Sequence, residues 1–175
     1  SGVSTLDAEY ARRGIRITDD VEVEVDRFLI TKASYGNYGG GIGIESGIVT
    51  ISNSTITGNN AFGGGGILVQ AADVTLVDST VSDNQSTTHG GGIITQAGAT
   101  LTILRTSIRD NSSSPTGFGG GIYNLPQAFV YAYESELSDN DASVGGAIYT
   151  GGDALLTNTT ISGNLARSSG GGIYQ

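Results

Sequence analysis

Apolar and polar residues alternate in short runs along most of the chain. Val21-Glu22-Val23-Glu24-Val25, Val49-Thr50-Ile51, Val74-Thr75-Leu76 and Leu101-Thr102-Ile103 are the clearest. A two-residue period belongs to a strand with one buried face. The repeating units show no 3.6-residue helical period. The runs themselves recur. A Gly-Gly-(Gly/Ala)-Ile element appears six times, with its isoleucine at Ile42, Ile67, Ile93, Ile122, Ile148 and Ile173. A second element, aliphatic-x-(Gly/Asp)-Asn, appears five times, ending at Asn59, Asn84, Asn111, Asn140 and Asn164. Two interleaved motifs sharing one spacing of 25–29 residues mark a solenoid of stacked units.

A unit of this length is too short for a four-stranded blade but holds three short strands: one after the glycines, one at Val-Thr-Ile and one before the Asn. The pattern therefore predicts an all-β parallel β-helix of about six coils, paired about 4.8 Å apart. Aligned on the Asn, Val49/Ile51, Val74/Leu76, Leu101/Ile103, Val130/Ala132 and Ala154/Leu156 point inward, as do Ile56, Val81, Ile108, Leu137 and Ile161. Ser54, Ser79, Thr106, Ser135 and Thr159 form a hydroxyl column at a bend. Asn59, Asn84, Asn111, Asn140 and Asn164 read as a buried structural ladder. Asn tolerates the left-handed backbone of a tight turn, and its amide can bond the next coil. The glycine runs supply a second corner, where a Cβ would clash.

The chain reads as one domain, 1–175, with repeats over 36–175 and an irregular segment over 1–35. In that segment Val21–Val25 aligns with the Val-Thr-Ile strands, Ile30 with Ile56, and Ala33 takes the Asn place, giving a degenerate first coil. Residues Leu6–Arg13 are expected to form a short helix capping the end. At the other end, Ile173-Tyr174-Gln175 opens a coil, which suggests a cut from a longer rod or an edge covered by another subunit. The longest insertion lies between Asn111 and Ile122. The coil it enters carries Leu125-Pro126, Tyr131 and Tyr133 and is the expected place for something specific.

Composition narrows the function. Net charge is −9 and the chain has no cysteine. The first argues against nucleic acid or anionic lipid as partner, the second removes disulfides and thiolate metal sites. No stretch reaches the roughly 20 apolar residues of a membrane span, so no membrane insertion is expected of this segment. Catalysis on polysaccharides by this architecture would use convergent carboxylates, or Ca²⁺ with a basic group. The strand after the glycines offers Ile42/Ile44, Ile67/Val69, Ile93/Thr95, Ile122/Asn124 and Ile148/Thr150 instead. No catalytic residue is assigned, and His89, the one histidine, reads as a surface residue beside a turn. Asp83, Asp110 and Asp139 stack just before the Asn. A cation such as Ca²⁺ would relieve their repulsion, though solvated turn residues explain them more simply, so no cofactor is expected beyond that allowance. The outward threonines Thr50, Thr75 and Thr102 give way to Tyr131 and Leu155, too irregular for an ice-binding array.

The aromatic residues are the candidate partner surface. Tyr123, Tyr149 and Tyr174 follow the motif isoleucine in successive coils, after Gly43, Leu68 and Ile94. They predict an outward apolar stripe along the rod, which with Tyr131 and Tyr133 could stack on sugars or bury against a partner. Cross-strand pairing alone explains the stripe equally well.

Gly145-Gly146-Ala147-Ile148 and the Ile-Thr-Gly-Asn, Val-Ser-Asp-Asn and Leu-Ser-Asp-Asn segments resemble the repeats of chlamydial polymorphic membrane proteins, autotransporter adhesins, and of related bacterial β-helix surface proteins. Those repeats alternate GGA(I/L/V) with FxxN. Here an aliphatic residue replaces the Phe every time. The resemblance covers residues 39–175. It implies a right-handed β-helix, export to the cell surface, and adhesion or scaffolding without catalysis. The expected partners are another β-helix module or another copy, stacked end to end into a filament, or host or environmental glycans. The competing expectation is a carbohydrate-binding or polysaccharide-degrading β-helix.

Overall fold

Seven short strands, one from each turn of the chain, stack in register in one parallel sheet: Ser4–Asp7, Phe28–Thr31, Thr55–Thr57, Thr80–Ser82, Ser107–Arg109, Glu136–Ser138 and Thr160–Ser162. They come from a computed structural model that describes residues 2–175. Among the described residues every pairing is parallel and joins residues about one coil apart, as in Ile56 with Val81 and Val81 with Ile108. The chain is thus an all-β parallel β-helix of about seven turns.

The broad second sheet carries the other two expected strands. In the second and third coils they are one continuous strand, Ile42–Ser52 and Ile67–Val77. In the next three they separate, as Ile93–Thr95 and Thr100–Leu104, Ile122–Asn124 and Phe129–Tyr133, and Ile148–Thr150 and Asp153–Thr157. The difference follows the buried position at the break. Ile44 and Val69 are apolar and let the strand run on. Thr95, Asn124 and Thr150 are polar and bend the chain around their own hydrogen bonds. Asn124 Nδ2 donates to Thr150 Oγ1 (2.9 Å) and to the carbonyls of Ala128 and Asp153.

A third, narrow sheet follows the Asn and was not foreseen: Ser34–Tyr38, Asn60–Gly63 and Gln85–Ser86, then Asp141–Val144 with Leu165–Ser169. Single bridges from Gln85 to Ser112 and from Ser112 to Asp141 join these two groups.

The first 35 residues need correction. The expected capping helix at Leu6–Arg13 is absent: Ser4–Asp7 pairs with Phe28–Thr31, and a turn follows at Glu9–Ala11. Ile15 pairs with Ile42, so Gly14-Ile15 is a seventh, abbreviated glycine-isoleucine element, and the segment is a full coil. Val23 and Val25 pair with Val49 and Ile51, and Ile30 with Ile56, as expected.

The core is columnar. Ile42, Ile67, Ile93, Ile122 and Ile148 are fully buried, and so are Ile56, Val81, Ile108 and Leu137. Each such side chain contributes about 1.5–3 kcal/mol by leaving water.

Candidate binding surface

The corners of the coil decide which side chains reach the surface. At the bend into the seven-stranded sheet, Asn53, Asp78, Arg105, Glu134 and Asn158 all have positive φ. The hydroxyl after each turns inward. Ser79 Oγ donates to the Val77 carbonyl (2.8 Å) and accepts the Ser54 N–H (3.1 Å). The same pattern repeats at Thr106 and Ser135. This column is internal scaffolding.

At the Asn corner the asparagines form a buried stack. Asn84 Nδ2 donates to Asn111 Oδ1 (3.0 Å) and to the Ile56 carbonyl (2.9 Å), while the Asn84 N–H also donates to Asn111 Oδ1 (3.1 Å). Asn59, Asn111 and Asn140 repeat the arrangement, ending on Asn164. The first coil, with Ala33 in this place, still donates its N–H to Asn59 Oδ1. Low local dielectric makes such satisfied buried bonds strong and their loss expensive.

The left-handed residue of this corner is not the Asn but the one before it: Gly58, Asp83, Asp110, Asp139 and Gly163. That requirement explains why Gly and Asp alternate there, since both tolerate positive φ better than most residues. The Asp column is therefore a turn feature. Asp110 pairs with Arg109 (2.6 Å), and Asp83 accepts a bond from Thr57. Among the described residues no group of three or more His, Asp or Glu side chains could hold a metal ion. Asp83, Asp110 and Asp139 do not converge on a cation site.

The glycine corner is built from the outside. Gly64 has positive φ, and a Cβ on Gly65 would come within 2.2 Å of the Gln85 carbonyl, so the coils approach too closely for any side chain. Aromatic side chains flank this corner. Tyr123, Tyr149 and Tyr174 stack with ring centroids 5.3 Å apart. Phe118 stacks on Tyr149 (4.9 Å), and His89 stacks on Phe118 and meets Tyr123, each at 4.8 Å. His89 is thus no loose surface residue. Its Nδ1 accepts the Phe118 N–H (3.0 Å), fixing the insertion, and burial lowers its pKa from the usual 6.5. Burial likewise raises the pKa of the Tyr123 phenol, with smaller effects from Tyr149 and Tyr38.

The expected stripe does not stay open along the rod. Leu68 and Ile94 are buried, and the Arg13 guanidinium fills the place beside Gly43, donating to the carbonyls of Gly39 and Tyr38. Tyr123 and Tyr149 are half-buried and only Tyr174 is exposed.

Tyr131 and Tyr133 lie elsewhere, on the flat outer face of the broad sheet. They alternate along one strand with buried Val130 and Ala132, so Phe129, Tyr131 and Tyr133 point outward together. Leu104 pairs with Tyr133 and Leu155 with Tyr131. Phe129 is 38% and Leu155 50% exposed, making this a contiguous aromatic and aliphatic patch facing solvent. Asp153 lies in register beside Phe129, and Asp78 pairs with Arg105 at the rim.

The comparisons agree with this architecture. The family described as "Right handed beta helix region" matches residues 6–166, and the "Chlamydia polymorphic membrane protein (Chlamydia_PMP) repeat" matches residues 158–175. No curated protein and no solved structure is significantly similar to the chain. With seven parallel turns and a match over most of its length, the chain belongs to the right-handed β-helix family.

Proposed function

We propose that this chain is a non-enzymatic adhesive module of an exported bacterial surface protein, a rigid rod that presents the Phe129–Tyr131–Tyr133 face to a partner. The observation that carries the reading is that face itself. A contiguous apolar patch on an acidic rod is the usual mark of an interaction surface, and aromatic side chains supply most of the energy at such sites. The resemblance of the last coil to a membrane-protein repeat supports display at the surface. In the column after the motif isoleucine stand Arg16, Gly43, Leu68, Ile94, Tyr123, Tyr149 and Tyr174, and the carboxylate beside it, Glu45, is held by two guanidinium nitrogens of Arg16. That supports a binding role over a hydrolytic one.

Surface display is tested on intact producing cells, where an antibody to the chain should label without lysis. Adhesion is tested with the purified chain against arrays of extracellular-matrix proteins. The triple variant Phe129→Ser/Tyr131→Ser/Tyr133→Ser should lose retention while keeping its melting temperature within a few degrees. Labelling only after lysis, or retention untouched by the triple variant, would refute the respective half of the reading. Release of products from pectin or alginate would replace it with the enzymatic alternative.

A further inference from the structure

A second place on the rod has the features of a small ligand site and lies apart from the aromatic face of the later coils. A shallow groove of about 170 Å³ opens on the narrow third sheet, lined by Ser34, Tyr35, Gly36, Asn60, Phe62 and Thr87. Its floor is irregular for a specific reason. Tyr35 pairs with Ala61 and Tyr38 with Gly63, so Gly36 and Asn37 together oppose the single residue Phe62. This is a β-bulge, a device that re-aims side chains and is frequent beside functional sites.

Two rings flank the groove and are held in place from behind. Tyr38 packs edge-on against Phe62 at 5.6 Å, and the Arg13 guanidinium lies 4.3 Å from the Tyr35 ring centre. Phe62 nevertheless leaves 43% and Tyr35 39% of its surface in water. Around the rings stand two hydroxyls, Ser34 and Thr87, and the amide of Asn60. No carboxylate, lysine or arginine lines the groove, although the chain carries a net charge of −9. Gly36 is open: a Cβ there would meet nothing within 4 Å.

We propose that this groove is a subsite for one ring of a neutral saccharide. A sugar ring has an apolar C–H face, which stacks on an aromatic side chain, and an edge of hydroxyls, which both donate and accept hydrogen bonds. Phe62 supplies the stacking face. Asn60, Ser34 and Thr87 supply donors and acceptors that carry no charge, while the chain's net charge of −9 disfavours an acidic sugar. The groove has room for one sugar ring. The bulge, by breaking the regular ladder, opens the space over Gly36 in which the ring sits. The subsite names a ligand class for the surface module proposed above but does not depend on its Phe129–Tyr131–Tyr133 face.

Saturation-transfer NMR on the whole chain tests this, with cellotetraose, chitotetraose, mannotetraose and polygalacturonate as probes. At least one neutral oligosaccharide should show transfer with a dissociation constant of about 1 mM, as expected of a single shallow subsite. Phe62→Ala should weaken that binding about tenfold or more. Gly36→Leu should do the same by filling the groove; Gly36 does not have positive φ, so this variant keeps its fold and melting temperature. Phe129→Ser/Tyr131→Ser/Tyr133→Ser should leave sugar binding unchanged. No transfer from any neutral probe, transfer only from polygalacturonate, or binding indifferent to both Phe62→Ala and Gly36→Leu would overturn the proposal. Retention on the adhesion arrays would persist in that case, so the two readings fail separately.

Discussion

The Asn corner carries the chain from the seven-stranded sheet into the narrow one and the glycine corner from the narrow sheet into the broad one, yet the two are built in opposite ways. At the Asn corner the space inside the turn is filled by a polar side chain, which satisfies a backbone N–H and a carbonyl of the preceding coil. At the glycine corner nothing fills the inside. Glycine N–H groups bond the glycine carbonyls of the next coil directly, as Gly65 does with Gly90 (3.2 Å) and Gly66 with Gly92 (2.9 Å). The support there comes from outside, from half-buried aromatic rings. The first corner therefore fails when a side chain is removed, and the second when one is added.

The largest expected effect comes from breaking the first corner. Asn111→Ala removes the acceptor of the Asn84 N–H and Nδ2 and the donor to the Val81 carbonyl and to Asn140 Oδ1. Several buried groups are left without partners, which should cost about 4 kcal/mol in urea unfolding. Gly91→Ala breaks the second corner by addition. Its Cβ would lie 2.5 Å from the Ser112 carbonyl oxygen and 2.6 Å from that of Gly120. Backbone on both sides can yield only by shifting the coils, and a loss of about 2–3 kcal/mol is expected. Tyr149→Ala removes only an outer ring stacked on Phe118 and Tyr174, and thermal unfolding should register about 1 kcal/mol. A loss from Tyr149→Ala as large as that from Asn111→Ala would erase the distinction between the corners.

The same contrast explains what was legible in the sequence. The Asn corner and the inward isoleucines announced themselves because one residue type recurs at one spacing, and their depth follows the alignment in every coil but the last, where Ile161 is half-buried and Ile173 is 42% exposed. The left-handed position was misassigned to the Asn, although the alternation of Gly58, Asp83, Asp110, Asp139 and Gly163 carried the signal. The first coil was hidden because its glycine run is reduced to Gly14, with Arg13 supplying from outside what a motif residue would supply. The narrow sheet after the Asn was missed because its strands are short and pair only with copies of themselves a coil away. The grouping of His89, Phe118, Tyr123 and Tyr149 depends on contacts across the Ser112–Gly121 insertion, which alters the spacing on which alignment relies. Tyr131 and Tyr133 were found as aromatic residues, but their union with Phe129 and Leu155 in one face needed the register.

The smallest expected effect is a pH dependence confined to the glycine corner. Burial lowers the pKa of His89 in the folded chain below its usual 6.5, so the unfolded chain binds the proton more readily. The contribution is fully present above about pH 6.5 and is lost as pH falls through the folded pKa. Protonation also cancels the acceptor at Nδ1 and frees the Phe118 N–H. His89→Gln should flatten the acid limb of a melting-temperature profile measured from pH 7.5 to pH 4.5, by about the width of a His titration. An acid limb of equal slope in both proteins would assign it to the carboxylates instead.

The most direct test of the two-corner account is the urea unfolding free energy of Asn111→Ala set against that of the unaltered chain. The account predicts a loss of about 4 kcal/mol in a single cooperative transition, because the stack links every coil from the second to the last. A loss below about 1 kcal/mol, the range of an ordinary surface substitution, would mean that the buried asparagines fill the corner without holding it.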